Sequence, residues 1–246
     1  ARLRTRKLPA EVDRIRAAIR VTDEIFAKLH EALRPGLTGR DIYHLVLDEV
    51  DRRGVGTAWS RYLCPIVTVG PVAPIGHTPP GDTPLERGWT LQVDFGVKAD
   101  GYCSDFQRMW YVLEKGEKRP PAEVVRLFDT VRKGIDTIIE HLGPGVPTWK
   151  CAEPTRRVLV DAGYPPYKYG LGHHLGRMAH DGGPGIGPRR EGAEERFLEP
   201  GNVITAEGLE TFLENRGWIS LEEDVLITET GAEVLTTRQT EIWLID

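Results

Sequence analysis

The stretch LQVDFGVKADGYCSDFQRMW, residues 91–110, constrains this chain more than any other. Apolar and aromatic residues flank a turn at Lys98-Ala99-Asp100-Gly101, a pattern that predicts a β-hairpin. Each arm carries one acid on an otherwise apolar strand, Asp94 and Asp105, and their midpoint falls inside the turn. The expectation is two carboxylates opposed on one face, with Cβ atoms about 5 Å apart. Like charges so placed destabilise a sheet, and a cation between them turns that liability into a site. A lone pair of acids is more often a turn residue and a solvated edge charge, so the rest of the chain decides.

The pattern around the hairpin occurs twice. Helical periodicity over residues 10–33 stops at Pro35-Gly36, and Thr38 is placed to cap a second helix that Gly54 ends. A strand-like run, Tyr62 to Val69, and a Pro/Gly-rich loop with His77 lead into the hairpin. After a charged linker, Pro120-Pro121 opens a helix stopped by Pro144-Gly145, and Thr148 is placed to cap a shorter one running to Ala162-Gly163. The offset is 109 residues both from Gly36 to Gly145 and from Gly54 to Gly163, as a duplicated helix–helix–sheet unit would give. In the second half, Val203 to Glu207 reads as a strand and Trp218 to Thr228 as its partner, with a turn at Asn215-Arg216-Gly217. Glu207 and Glu222 are symmetric about that turn region, so a second hairpin carries a second pair of acids.

If the two units pack about a pseudo-twofold axis, the four carboxylates converge. They cannot all stay charged in a partly buried pocket without shared protons or metal ions. With His173, from the Gly/His-rich segment GLGHHLGRMAH, the set exceeds one tetrahedral zinc and suits two ions with bridging carboxylates. Oxygen-rich donors with one nitrogen favour Mn²⁺, with Co²⁺, Fe²⁺ or Zn²⁺ open by availability. Two ions about 3.5–4 Å apart hold a bridging water and lower its pKa; such pairs serve phosphatases and nucleases as well as aminopeptidases, so spacing alone leaves the reaction open.

Composition narrows the classes. A net charge of −5 and a pI near 5.9 give no nucleic-acid footprint, and the basic start, Arg2 to Lys7, reads as a solvated terminus. No apolar run is long enough to span a membrane and no signal-peptide core is visible. Cys64, Cys103 and Cys151 are odd in number, widely spaced and without a CxxC, as expected of reduced thiols in a cytoplasmic protein. The chain starts at Ala1, as a processed chain or a fragment would.

These motifs together resemble the pita-bread metallopeptidases, which include methionine aminopeptidase, aminopeptidase P and prolidase. VDFG and GYCSDFQR resemble that family's VDFG and GYxSDxTR, GHHLGRMAHD its GHGIGxxxHE, VITAE its VITIE, and EEDVLIT its EDxVLVT. The resemblance covers nearly the whole chain. It implies an α/β (α+β) pita-bread fold: one catalytic domain, 1–246, of two halves, about 8–113 and 119–236, around a dinuclear metal site. It maps the metal ligands to Asp94, Asp105, His173, Glu207 and Glu222, general-base work also to Glu207, and substrate contacts to His180 and His77. Arg108 is matched to an arginine that pairs with a carboxylate near the site, and His30, His44, His141 and His174 are left as structural. His174 stands where the family has Gly, Asp181 where it has Glu, Gly208-Leu209 where it has Pro-Gly, and Glu223 where it has Asp.

The implied activity is hydrolysis of the N-terminal peptide bond of Xaa-Pro di- or oligopeptides through a metal-bridging hydroxide, with the motifs closer to the Xaa-Pro branch. The short length, without the N-terminal domain usual there, favours methionine aminopeptidase as the alternative. A catalytically inactive pita-bread binding protein and a metal-free C–N hydrolase of the creatinase type are further alternatives. The resemblance also implies a homodimer, a small peptide as substrate, and neither nucleic acid nor membrane as partner.

Overall fold

The computed structural model describes residues 2–74, 76–189, 192 and 195–246; Ala1, Ile75, Arg190, Glu191, Ala193 and Glu194 lie outside them. The first half runs α1 (Arg2–Thr5), α2 (Pro9–Ala32), α3 (Gly39–Arg53), β1 (Gly56–Thr57), β2 (Ile66–Val69), β3 (Thr90–Phe95), β4 (Val97–Ala99), β5 (Tyr102–Cys103) and β6 (Phe106–Val112). The second runs α4 (Ala122–His141), α5 (Trp149–Asp161), β7 (Val203–Ala206), β8 (Thr211–Leu213), β9 (Gly217–Ile219), β10 (Glu223–Ile227), β11 (Ala232–Val234) and β12 (Trp243–Ile245).

Local chemistry sets the helix ends. The Thr38 hydroxyl accepts from the Asp41 N–H at 3.1 Å, and Asp41 Oδ2 accepts from the Thr38 N–H at 2.8 Å. Gly36, Gly54, Gly145 and Gly163 all have positive φ, between 65° and 89°, with open space where a Cβ would stand. The matched glycines of the two halves are therefore conformational, ending helices or turning the chain in a backbone that L side chains rarely adopt. Thr148 departs from its expected role: its backbone is already helical (φ −58°, ψ −28°) and its side chain makes no capping bond. A capping hydroxyl needs an extended backbone to reach the N2 or N3 amide.

Each half has its own apolar core. In the first, Ile15, Ile19, Ile25, Phe26 and Leu29 of α2 pack with Ile42, Val46 and Val50 of α3 onto Leu91, Val93, Phe95 and Trp110 of the sheet. In the second, Val124, Leu127, Phe128, Val131, Ile135 and Ile138 of α4 pack onto Ile204, Ala206, Ile219, Val225 and Ile227. The sheets are β12-β6-β3-β2, β11-β10-β7, β1-β4-β5 and β8-β9; β12 crosses back to lie parallel to β6 in the first half's sheet.

Four further expectations need correction. First, β3 and β6 pair with Asp94 opposite Gln107, not Asp105. The turn is Asp100-Gly101, with φ of 48° and 77°, centred one residue later than expected because an Asp-Gly pair alone supplies two adjacent left-handed residues. The two acids still share a face, as diagonal neighbours roughly 7–8 Å apart. Second, β2 starts only at Ile66, after the turns that precede Pro65, which has no N–H to give a ladder. Third, Trp218 to Thr228 is not one strand but β9 and β10, on different partners. The left-handed residues Gly208 (φ 92°) and Leu209 (φ 59°) shift the register between the two pairings by one residue. Fourth, the basic start is only partly solvated: Arg4 and Arg6 are exposed, but Lys7 is buried, and both it and Arg4 pair with the buried Asp181. An acid buried beside His180 needs that charge.

Candidate metal centre

Strand alternation brings the acids together. Asp94 lies near the end of β3 and Asp105 just before β6; Glu207 directly follows β7 and Glu222 directly precedes β10. Ala206 pairs with Glu223, so one step further Glu207 stands opposite Glu222. His173 arrives from a segment that runs beside β7: its N–H donates to Thr205 Oγ1 at 3.1 Å and its carbonyl accepts from the Thr205 N–H at 2.8 Å. The same segment reaches the first half, where the Cys103 N–H donates to the Gly176 carbonyl at 2.7 Å. Gly96, of the VDFG stretch, lets the hairpin fold onto itself, since a Cβ there would overlap the Ser104 carbonyl.

His173 Nε2 lies 3.7 Å from Asp105 Oδ2, 3.6 Å from Glu207 Oε1 and 4.0 Å from Glu222 Oε1. These gaps are too long for hydrogen bonds. They suit donor atoms each about 2.0–2.2 Å from one ion. Asp105, His173 and Glu222 offer ligand atoms all within 4.8 Å of one another. Asp94 Oδ1 and Glu222 Oε1 are buried with no hydrogen-bond partner among the described residues. Burial, then neighbouring carboxylates, holds Asp94, Asp105 and Glu222 well above the usual carboxyl range. Burial pushes Glu207 up to about 7. His173 is driven down to about 4 by burial, so its imidazole is neutral with a lone pair to share. Orphaned oxygens, mutual repulsion and a neutral imidazole together fit a divalent cation site.

The remaining candidates fall around this cluster. The His180 ring stacks on His173 with centroids 3.8 Å apart and 16° between planes, and burial and His173 lower its pKa. His77 is exposed in the loop before β3, near enough to His173, His180 and Glu207 to act on them electrostatically. Arg108 pairs with the Glu223 carboxylate at 3.1 Å, both fully buried, and its Nη1 also donates to the Glu222 carbonyl at 3.1 Å. His30 accepts the Trp110 indole N–H at 2.9 Å. His174 is buried against Gly183 and Thr5 with neither ring nitrogen bonded to a described residue.

Sequence reading missed four polar residues here. Asp224 is fully buried, and its Oδ2 accepts the Asp105 N–H at 3.2 Å. Glu210 faces the cluster's charge, lifted to about 7 by burial and by Glu207. Gln92 and Gln107 form a buried chain to Glu222. The signal was the period of two: Gln92, Asp94, Asp105 and Gln107 share one face, and so do Glu222 and Asp224.

Comparison with known proteins agrees with this architecture. The profile of metallopeptidase family M24 matches residues 13–229. An uncharacterized peptidase of Staphylococcus haemolyticus is 30% identical over 236 residues, 95% of this chain and 63% of its own length. An uncharacterized peptidase of Bacillus subtilis is 27% identical, over 99% of this chain and 65% of its own. The chain thus spans a little under two thirds of the curated relatives it matches. Among solved structures, an X-Pro aminopeptidase of Thermotoga maritima superposes with a TM-score of 0.87 at 27% identity, over 99% of this chain and 66% of that one. A prolidase of Pyrococcus furiosus gives 0.84 at 25% identity, over 97% and 67%. The two-half helix-and-sheet architecture is the pita-bread fold, and the chain belongs to metallopeptidase family M24.

Proposed function

We propose that this chain is the catalytic domain, in two halves, of a divalent-metal-dependent peptidase that releases the N-terminal residue from Xaa-Pro di- or oligopeptides. The observation that carries the reading is His173 Nε2 set 3.6–4.0 Å from three carboxylates of both halves. The likeness to an X-Pro aminopeptidase and a prolidase supports the substrate class. Asp94, Asp105, His173, Glu207 and Glu222 hold two ions, Mn²⁺ before Co²⁺, Zn²⁺ or Fe²⁺ on donor chemistry. Bound there, such ions polarise a peptide carbonyl and acidify water.

The side chains do the rest. Glu207, whose Oε1 lies 3.6 Å from His173 Nε2, takes and returns a proton at its carboxyl. His180, neutral and stacked on His173, donates a ring N–H to the scissile carbonyl oxygen as charge develops on it. His77 contacts the substrate from its loop. The buried free thiols fit a reducing, cytoplasmic compartment, and a homodimer is the assembly we assign. The test uses metal-stripped protein and Xaa-Pro peptides with and without Mn²⁺. Metal-dependent proline release supports the reading; release of methionine from Met-Ala peptides alone moves it to methionine aminopeptidase, and no release from either leaves a binding protein.

A further inference from the structure

Two glutamines lie where the core calls for apolar residues. Gln92 on β3 and Gln107 on β6 are each 2% exposed, between Leu91 and Val93 and between Phe106 and Arg108. Gln92 Nε2 donates to Gln107 Oε1 at 2.9 Å, and Gln107 Nε2 donates to Glu222 Oε2 at 2.9 Å. The direction of this chain follows from chemistry. A carboxylate that ligates a metal only accepts, so Gln107 turns its NH₂ to Glu222 and its oxygen to Gln92, which then donates. Gln92 Oε1 is left buried with no partner among the described residues. An orphaned buried acceptor of this kind is destabilising. A leucine or methionine pair would avoid that cost, so packing does not account for the amides.

We propose that Gln92 and Gln107 are positioning residues of the metal centre, an amide relay that fixes which oxygen of Glu222 faces the ions. The relay takes Oε2; Oε1 has no partner and lies 4.0 Å from His173 Nε2. Gln107 is also the register partner of Asp94, so the residue that donates to Glu222 of the second half stands opposite an acid of the first. In the GYxSDxTR pattern that this stretch resembles, threonine stands at the position of Gln107, and its shorter side chain does not carry a two-amide chain. Partners that orient a ligand in this way are worth about 10–100-fold in metal affinity.

The inference rests on Glu222 being a ligand, and the experiment separates the two. Metal-stripped full chain is titrated with Mn²⁺ by calorimetry, with melting temperature on the same preparations. Gln239→Met is the control: Gln239 is equally buried and bonds both backbone groups of Met109, two residues beyond Gln107, through bonds of 2.9 and 2.7 Å. Gln107→Met is expected to weaken Mn²⁺ binding about 10–100-fold. Gln92→Met leaves Gln107 free to turn and is expected to weaken it by a smaller factor, while Gln239→Met lowers the melting temperature and leaves affinity unchanged. Wild type that binds no Mn²⁺ defeats the ligand assignment itself. Wild type that binds, with Gln107→Met at wild-type affinity or Gln239→Met weakened as much, defeats the relay alone. If Gln107→Met does not fold, Gln92→Met decides: weaker binding supports the relay, and wild-type affinity overturns it.

Discussion

The imidazoles of His173 and His180 stack face to face, with centroids 3.8 Å apart and planes 16° from parallel. The first ring faces the carboxylates; the second is exposed. His180→Ala is expected to retain metal and melting temperature and to lose about 10²–10³-fold in kcat, with KM little changed. Metal content, melting temperature and kcat on one preparation check it. Loss of metal in step with activity would make His180 a ligand.

Adjacent glutamates at the start of β10 should give opposite phenotypes. Glu222 faces His173, and Glu223 faces Arg108 and Thr236. Glu223→Gln leaves a buried guanidinium without its charge partner, so it should lose about 3–5 kcal/mol of stability while keeping metal. Glu222→Gln should lose metal, yet be no less stable than wild type when both are metal-free, because the amide replaces a carboxyl that burial and its acidic neighbours already hold against ionisation. Urea unfolding and elemental analysis of the pair check both. If Glu223→Gln alone loses metal, the two roles are exchanged.

Leu209 and Gly134 are coupled across the second half. Leu209 is buried in a left-handed backbone, and a Cβ on Gly134 of α4 would overlap its Cδ1. Gly134→Ala should therefore destabilise by about 1–3 kcal/mol, although alanine favours a helix interior by about 1 kcal/mol. Combined with Leu209→Ala, its cost should fall, with a coupling of about 0.5–3 kcal/mol in a double-mutant cycle. Additive costs would show that the two side chains do not share that space.

The metal-free protein should lose stability above neutral pH. Burial lifts Glu207 and Glu210 to about 7, so the folded state keeps protons that the unfolded chain has released. Their contribution is full below the unfolded pKa of about 4.3 and is lost as pH rises through about 7. His173 and His174, lowered by burial to about 4, act the other way: stability rises with pH from about 4 to 6.5 and then levels. Above about 6.5 only the carboxyls still change. The melting temperature of metal-free protein should thus fall from pH 6.5 to 8, and Mn²⁺ should raise it more at pH 8 than at pH 6. A metal-free midpoint that is flat or rising over that range contradicts this.

Much of this was legible in the sequence because it is local. Thr38 with Asp41 and Gly54 with Gly163 announce helix ends through backbone chemistry that a single residue controls. The pairing of Glu207 with Glu222 follows from symmetry about a turn, while the partner of Asp94 lies two residues beyond the expected one because the turn centre, one residue later, depends on which residues take positive φ. Contacts across the two halves were not legible. Arg4 and Lys7 reach Asp181, more than 170 positions away, and the Asp105 N–H reaches Asp224, 119 positions away. No periodicity encodes such pairs; only the folded sheets bring them together.

The most direct test is metal content by elemental analysis after reconstitution with Mn²⁺ and removal of free ion, on wild type and Asp105→Asn, with Xaa-Pro cleavage measured on the same samples. Asp105 Oδ2 lies 3.7 Å from His173 Nε2 in the middle of the cluster, and the amide keeps its shape without its charge. Wild type should hold about two ions per chain and release proline, and Asp105→Asn should lose most of the metal and the activity with it. A wild type without bound metal, or an Asp105→Asn variant with a full complement of ions and full activity, contradicts the centre proposed here.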